Sequence, residues 1–399
     1  MRILLVHNQY QQPGGEDVVF ALEAALLRER GQEVLEYVVR NEAISRISMP
    51  GTAINAIWSR RSYQEIRKMT RRVRPQLVHF HNTLPLVSPA GYYAARAEGA
   101  AVVQTLHNYR LLCPSATCFR NGKVCEDCLG KSLPWPGVVH GCYRQSRAAT
   151  GVVAAMLGVH RALGTWSKAV DVYIALTRFA RRKFIQGGLP ADRIAVKPNF
   201  VSDSAVKRES GAVRREGALF VGRLSAEKGI GTLLQAWRDM AVHLRIVGDG
   251  PLADSIRRCD DQAVKGLGRK TRPEVTKEMR RAAFLVMPSE WYETFGLTIV
   301  EAFAQGLPVI ASRLGAMAEI IEDRVTGLHF TPGDAEDLAA KVRWAAEHPD
   351  EMRRMGANAR RAYEQKYTPE ANYRQLMAIY QEAMAENRLK TDQTSISPA

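Results

Sequence analysis

The chain has 399 residues, an apolar content of 46% and a formal net charge of +15. Its length and apolar fraction exclude a disordered or fibrous protein and predict two globular domains, with three as the upper bound. The longest apolar stretch is shorter than the roughly 18 residues of a membrane span, and the apolar start is too short for a signal peptide. We therefore expect a cytoplasmic protein with no membrane-spanning segment.

The excess positive charge lies in the first half of the chain. Residues 1–199 carry 27 Lys and Arg against 13 Asp and Glu, whereas residues 200–399 carry 29 against 28. A basic half predicts a polyanionic partner, either an anionic membrane surface or nucleic acid.

Strand and helix patterns alternate along the whole chain. Apolar strand runs such as RILLVHN, EVLEYVV, QLVHFHN and AVVQTLHN are followed, after residue 200, by a second cycle with ALFVGRL, HLRIVGDG and AAFLVMPS. This alternation predicts an α/β protein with two Rossmann-like, doubly wound domains, over residues 1–199 and 200–369, with a polar linker at 196–217. We expect a helix over residues 370–390 to pack back towards the first domain, and residues 391–399 to form a disordered tail.

Two features of the first domain precede its third predicted strand. Gly14 and Gly15 follow the first strand and open a helix, where backbone N–H groups could approach a phosphate or a sugar, although such a pair is more often only a turn. The run IWSRRSYQEIRKMTRRVR then places cations among Ile57, Trp58, Ile66 and Met69 at roughly helical spacing. It indicates an interfacial helix on an anionic membrane, with a packed helix and a solvated basic face as the alternative. The cations are Arg60, Arg61, Arg67, Lys68, Arg71 and Arg72.

His107 ends a predicted strand, where a polar role in a cleft is favoured over core packing. Five of the six cysteines follow it, at positions 113, 118, 125, 128 and 142. Their spacing predicts a structural zinc site, because reduced thiols in a knuckle with flanking cysteines are typical zinc ligands. The expected ligands are Cys113, Cys125, Cys128 and Cys142, with Cys118 or His140 as substitutes and free thiols as the alternative.

The second domain carries the residues that indicate a ligand. Arg223 and Lys228 follow a strand and are suited to a diphosphate. Glu293 and Glu301 bracket Phe295 and Gly296, where a helix begins whose free N–H groups form a phosphate site. Two acids on either side of a phosphate site fit a ligand with a sugar at each end of a diphosphate, as in a nucleotide sugar; two solvated acids on a buried helix are the alternative.

These residues together resemble the family 4 glycosyltransferases of the GT-B fold, whose signature E-x7-E is Glu293 to Glu301. The likeness is strongest from ALFVGRLSAEKGIGTLLQAW through LRIVGDGPL to WYETFGLTIVEAFAQGLPVIAS. It implies two domains facing a central cleft, with transfer of a sugar from a UDP- or GDP-sugar to a saccharide acceptor with retention of configuration. The acceptor would be lipid-linked or part of a cell-envelope polysaccharide, and the enzyme would lie at the inner face of the cell membrane.

The resemblance also implies roles for single residues. Arg223 and Lys228 would hold the diphosphate, and Glu301 the ribose. Glu293 and His107 would act on the transferred sugar as the catalytic pair. The donor would further contact Phe295, Gly296, Leu297 and Thr298, and the acceptor side would be lined by Gly14 and Gly15. The resemblance implies no catalytic metal or other cofactor, and no Asp-x-Asp metal anchor occurs in the sequence.

Two other functions compete with this one. The same fold could serve a nucleotide-sugar epimerase or a glycan phosphorylase. The basic half could instead belong to a nucleic-acid-binding module, but no RNA-binding signature accompanies it, so we expect no nucleic-acid partner.

Overall fold

The computed structural model describes residues 1–10, 14–42, 49–202, 215–259 and 261–395. Contacts between Cα atoms divide the chain into two compact units. The first comprises Met1–Cys118, Cys125–Pro198 and Asn372–Ala399, and the second comprises Phe119–Val124 and Asn199–Ala371. Each unit contains a six-stranded parallel sheet, which confirms the predicted pair of Rossmann-like α/β domains. More than half of the predicted linker lies outside the described residues.

The first eight strands are β1 (Arg2–Gln9), β2 (Glu33–Arg40), β3 (Leu77–Asn82), β4 (Ala101–Leu106), β5 (Phe119–Arg120), β6 (Lys123–Val124), β7 (Val172–Ala175) and β8 (Ile194–Val196). Six of them form a parallel sheet in the order β2-β1-β3-β4-β7-β8, and β5 and β6 form a small antiparallel hairpin. Strands β3 and β4 are buried along their whole length, as expected for central parallel strands covered on both faces. The strand order reverses between β1 and β3, so their carboxyl ends form the switch point of this sheet.

The helices of this part of the chain are α1 (Gly15–Glu29), α2 (Met49–Ile57), α3 (Arg60–Val73), α4 (Ala90–Arg96), α5 (Trp135–Val139), α6 (Arg147–Ala162), α7 (Thr165–Lys168) and α8 (Arg178–Gln186). Helix α1 begins where the backbone N–H of Gly14 donates to Asp17 Oδ2 at 2.6 Å, which satisfies one free donor of its first turn. Helices α3, α6 and α8 each begin after a Ser or Thr whose side chain accepts from the first turn: Ser59, Ser146 and Thr177.

The second sheet repeats this plan. Its strands are β9 (Ala218–Val221), β10 (Leu244–Val247), β11 (Val264–Gly268), β12 (Phe284–Met287), β13 (Val309–Ser312) and β14 (Gly327–Phe330). They follow the Rossmann order β11-β10-β9-β12-β13-β14, so the switch point lies between β9 and β12. The accompanying helices are α9 (Ile230–Ala236), α10 (Ala253–Arg257), α11 (Arg272–Arg281), α12 (Leu297–Ala304), α13 (Gly315–Ile320), α14 (Ala335–Glu347) and α15 (Pro349–Lys366).

The last helix, α16 (Pro369–Ser395), contributes to the core of the first unit. Its residues Leu376, Ile379 and Tyr380 belong to the same buried cluster as Ile3 and Leu5 of β1. The predicted disordered tail is wrong for residues 391–395, which continue the helix. The segment is polar but contains no residue that breaks a helix before Pro398, so the helix propagates through it. Residues 396–399 of that tail lie outside the described residues.

Candidate functional site

In the second unit, the predicted donor residues lie in the loops that follow β9 and β12. These strands are neighbours on either side of the switch point, so both loops leave the sheet at the same edge. Arg223 and Lys228 come from the first loop, and Glu293 to Gly296 from the second. The sheet therefore brings together two segments that are about 60 residues apart in the chain, at the place where open α/β sheets bind ligands.

Lys228 and Glu293 form an ion pair at the centre of this edge. The Lys228 ammonium lies 2.5 Å from Glu293 Oε1, and the hydroxyl of Ser289 donates to the same oxygen at 3.0 Å. The ammonium also lies 5.0 Å from the ring centroid of Trp291. Glu293 is only 6% exposed, so its carboxylate is held in one place by two donors. Sequence reasoning missed Ser289 and Trp291, because nothing in the sequence indicates that their side chains meet Lys228 and Glu293.

Gly229 allows the loop of Lys228 to approach the strand beside it. Its backbone has φ of 70°, and a Cβ atom at this position would lie 1.9 Å from the carbonyl oxygen of Pro288, at the end of β12. Only glycine fits such an approach in a left-handed conformation. The close contact between the two loops therefore places Lys228 next to Glu293. The sequence contains Gly229 in its AEKGI stretch, but the contact that requires glycine is visible only in the structure.

Helix α12 begins directly after this loop. Gly296 precedes it with φ of 83°, and the preceding side chain of Phe295 is buried. Leu297 and Thr298 are the first two helical residues and are partly exposed, so the positive end of the helix faces outwards beside the ion pair. The predicted order of loop, glycine and helix N-terminus is therefore present.

Glu301 is the fifth residue of α12 and has a partner that sequence reasoning missed. Its Oε1 accepts from Arg272 Nη2 at 3.0 Å, where Arg272 is the first residue of α11. Burial raises the pKa of the Glu301 carboxyl, and Arg272 opposes this shift.

Arg223 is exposed after β9 and forms no ion pair with any residue in the described ranges. The four predicted charged residues thus come from one edge of one sheet, but only Lys228 and Glu293 are in direct contact with each other.

In the first unit, His107 ends a chain of buried polar side chains. His81 Nδ1 and His107 Nε2 lie 3.0 Å apart, and the two rings stack with centroids 5.1 Å apart. His79 and His81 in turn lie 3.2 Å and 3.3 Å from Glu23 Oε1. Sequence reasoning missed His79, His81 and Glu23, although the alternating HFH of β3 carries both histidines to one face of the sheet.

Burial fixes the charge states along this chain. It lowers the pKa of His81 to about 3 and that of His107 well below its ordinary value, and the neighbouring histidines add to both shifts. Burial by itself would raise the pKa of the Glu23 carboxyl. The Lys197 ammonium, 3.0 Å from Glu23 Oε2, and the two histidines outweigh burial, so this pKa lies well below its ordinary value. His107 is therefore a neutral ring whose orientation is set by His81.

The local backbone and its surroundings do not require glycine at positions 14 and 15. Gly14 has φ of −111°, and a Cβ atom on Gly14 would meet only Asp17 at 3.8 Å, while one on Gly15 would meet nothing within 4 Å. Glu16 follows, with its Oε2 accepting from Asn108 at 3.2 Å, beside His107 in sequence. Among the described residues, which omit 11–13, the two Cβ positions thus have no close contact.

The cysteine segment brings several thiols near one another. The thiols of Cys113 and Cys118 are hydrogen-bonded. Burial, and after it the nearby thiols of Cys113, Cys142 and Cys125, raises the pKa of Cys128 to about 11. His140 is exposed. Within the described residues, the only group of three or more His, Cys, Asp or Glu with ligand atoms all within 4.8 Å is Glu23, His79 and His81. Lys197 already neutralises that carboxylate.

The predicted interfacial helix corresponds to α3 and the two residues before it that follow the end of α2. Ile66 is fully buried, and Trp58 stacks with Tyr63 at 5.9 Å. Trp58 and Met69 are partly exposed. The buried Ile66 fits the alternative, a packed helix with a solvated basic face, and the interfacial role of this helix stays a prediction. That face borders a groove of about 680 Å³ lined by Trp58, Arg60, Tyr63, Gln64, Arg67, Lys68, Arg71 and Arg72.

Comparison with known families matches nearly the whole chain. The family Glycosyltransferase Family 4 matches residues 8–205, and the family Glycosyl transferases group 1 matches residues 204–362. Each match covers less than half of the chain, and together the two matches make it similar to glycosyltransferases over residues 8–362. The second match contains Lys228, Glu293 and Glu301, and the first contains His107.

Curated relatives share part of this chain. An uncharacterized glycosyltransferase of Methanocaldococcus jannaschii is 32% identical over 168 residues, which are 41% of this chain and 47% of that relative. The sulfoquinovosyl transferase of Arabidopsis thaliana is 32% identical over 183 residues, 44% of this chain and 35% of that protein. The chain therefore spans less than half the length of these two relatives.

Solved glycosyltransferase structures share the fold. The Anabaena protein HepE in complex with UDP-glucose has a TM-score of 0.66 and 18% identity, covering 94% of this chain and 99% of that one. At this identity the likeness shows the GT-B fold alone. None of the helices in the described part of the chain is both long and apolar enough to span a membrane.

Proposed function

We propose that this protein is a retaining glycosyltransferase that moves a sugar from a nucleotide-diphosphate donor, a UDP- or GDP-sugar, to a saccharide acceptor. The observation that carries the proposal is the Lys228–Glu293 ion pair beside the N-terminus of α12, at the switch point of the second sheet. A cation, a fixed carboxylate and free helix N–H groups are the three partners that a sugar diphosphate requires.

The chemistry follows from where charge develops. When the bond between the anomeric carbon and the diphosphate oxygen breaks, negative charge grows on the leaving group. Lys228, Arg223 and the N–H groups of Leu297 and Thr298 would stabilise that charge without a catalytic metal. The acceptor hydroxyl would form the new bond on the same face of the sugar and pass its proton to the departing phosphate oxygen. Glu293 would bind sugar hydroxyls, and Glu301 would bind the ribose.

His107 would act on the sugar rather than on the phosphate. Its ring is neutral, so it can exchange hydrogen bonds with sugar hydroxyls or the acceptor but does not add a positive charge. Gly14 and Gly15 would line the acceptor side, where the absence of side chains leaves room for a saccharide.

We further propose a lipid-linked or cell-envelope polysaccharide acceptor, reached from the inner face of the membrane. The basic face of α3 supports this proposal, because its arginines surround a groove that suits anionic headgroups. The contact would be mainly electrostatic, since Ile66 of α3 is buried inside the unit. Neutralising Arg60 and Arg61 should then reduce binding to anionic vesicles.

We also keep the structural zinc as a proposal, with Cys113, Cys125, Cys128 and Cys142 as ligands. Its support is that the thiols of Cys113, Cys125 and Cys142 all raise the pKa of Cys128, which places the four cysteines in one neighbourhood. Metal analysis of the purified protein tests it, and protein without zinc would remove it.

Donor and acceptor kinetics test the function. Glu301→Ala should raise KM for the donor, whereas His107→Ala should mainly lower kcat. Unchanged kinetics in both variants would reject the assigned roles. Isomerisation of a nucleotide sugar in the absence of an acceptor would instead favour an epimerase, and salt-dependent nucleic-acid binding without nucleotide-sugar binding would favour a binding module.

A further inference from the structure

The segment 131–163 exposes apolar side chains and contains no Asp or Glu. Leu133 is 49% exposed, Trp135 56% and Val139 50%, and Val159 and Leu163 of α6 are 43% and 54% exposed. Folded proteins bury large apolar side chains where they can, so a cluster of exposed ones marks a contact surface. We call the exposed side chains of Leu133, Trp135, Val139, Val159 and Leu163 the insertion surface.

The backbone beneath this surface is held firmly. Arg161 of α6 donates to the carbonyl oxygen of Ser132 at 3.3 Å and to that of Leu111 at 3.0 Å. At the other end of α5, Arg147 donates to the carbonyl oxygen of Val139 at 3.1 Å. Leu133 also lies against Gly158, where a Cβ atom would be 3.1 Å from its Cδ1. The apolar side chains are therefore presented outwards by a fixed platform.

The part of the sequence that forms the insertion surface carries charges of one sign. No Asp or Glu occurs between Asp127 and Asp171, whereas the same stretch carries Lys131, Arg144, Arg147, Arg161 and Lys168. The Lys131 ammonium lies 5.9 Å from the ring centroid of Trp135, so a cation and an exposed indole share one edge. Exposed Trp and Leu with a rim of Lys and Arg are the composition of surfaces that lie in the interface of an anionic bilayer.

We propose that the insertion surface enters the interfacial region of an anionic lipid bilayer. Trp135 and Leu133 would lie at the level of the headgroups and the first acyl carbons, and the surrounding cations would contact lipid phosphates. This site of membrane contact is distinct from the basic face of α3. Only its biological role, bringing the enzyme to a lipid-linked acceptor, rests on the proposed function. A soluble protein partner would more often present acidic residues together with apolar ones, and a second copy would bring the same cations face to face.

Vesicle binding tests the proposal without donor or acceptor. The full chain is sedimented with phosphatidylcholine vesicles and with mixed phosphatidylglycerol–phosphatidylcholine vesicles. We expect binding to the mixed vesicles, and a loss of about tenfold in partitioning for Leu133→Ser with Trp135→Ala, because two exposed apolar side chains are removed. The matched control is Leu389→Ser, which removes a leucine of similar exposure, 58%, on α16.

Fluorescence supplies a readout that a change in folding would not give. Tryptophan emission of the wild type should shift to the blue with mixed vesicles, and Trp135→Phe should lose that shift while still sedimenting. Equal partitioning of the wild type and the double variant would overturn the proposal, as would sedimentation unaffected by Lys131→Gln and by phosphatidylglycerol. A dimer that dissociates in the double variant would assign the surface to a second copy and also overturn it. Nucleotide-sugar binding by the same preparations is a separate measurement, so a failure here leaves the proposed function standing.

Discussion

At the scale of single residues, the candidate site consists of carboxylates that each have a cation. Glu293 is paired with Lys228, and Glu301 with Arg272. The diphosphate of a bound donor would compete for those cations, and the hydroxyls of the donor would donate hydrogen bonds to the carboxylates. The ion pairs therefore neutralise the charged side chains until a ligand replaces these contacts.

Removing the cation from the first pair should cost stability. Lys228→Met leaves the carboxylate of Glu293 buried without a cation beside it, and we expect a loss of about 2 kcal/mol in the free energy of unfolding. The loss is below that of a fully buried pair because the Lys228 side chain keeps 21% exposure. Chemical denaturation measures it, and Lys228→Met with Glu293→Gln should recover most of the loss. A double variant no more stable than the single one would contradict the pairing.

Glu16 should make stability depend on pH. Burial and the charge of Asp17 raise its pKa from 4.5 to about 7, although Tyr10 and Asn108 donate to it. A carboxyl whose pKa is raised by folding keeps a proton that the unfolded chain has lost, so it lowers stability as pH rises from about 4.5 to about 7. Glu16→Gln removes this loss.

Thermal melts at about pH 5 and about pH 8 compare the two proteins. The Gln variant should gain melting temperature relative to the wild type at the higher pH and show little difference at the lower pH. Arg110 is a further charged group near Glu16 and remains in both proteins, so it cancels in the comparison. The same difference at both pH values would show that Glu16 does not titrate in this range.

At the scale of elements, the candidate site lies in loops that follow parallel strands. The glycines of these loops have two different roles. Gly229 is required by the fold, because a side chain there would collide with the carbonyl oxygen of Pro288. Gly15 is not, because no atom of the described residues lies within 4 Å of where its Cβ atom would be. The two positions therefore separate a structural glycine from one that leaves room for a ligand.

Alanine at these two positions should give opposite results. Gly229→Ala should lower the melting temperature and weaken donor binding, since the loop of Lys228 must move away from β12. Gly15→Ala should melt like the wild type, within about 0.5 kcal/mol, but raise KM for the acceptor. Melting curves and acceptor kinetics measure both. Normal acceptor kinetics in Gly15→Ala would remove Gly15 from the acceptor side.

At the scale of the whole molecule, the sequence predicts the two parallel sheets because nearly every strand is a short apolar run followed by a helical pattern. It also predicts Lys228, Glu293 and the start of α12, which lie in loops after strands. It does not predict Arg272, Ser289 or the contact of Glu23 with Lys197, since these partners are brought together only by packing, over 174 residues in the last case. The periodicity of α3 indicates an apolar face but cannot say whether protein or lipid covers it.

The central claim is that the second unit binds a sugar diphosphate with its own cations and helix N–H groups. Thermal shift of the purified chain with UDP-glucose, alone and with added Mg²⁺, tests it most directly. We expect stabilisation of about 2.7 kcal/mol at a ligand concentration about 100-fold above Kd, equal with and without Mg²⁺ and much reduced in Lys228→Met and Glu301→Ala. If UDP-glucose has no effect, GDP-sugars are measured in the same way. Stabilisation by none of these donors, or only in the presence of Mg²⁺, would contradict the account.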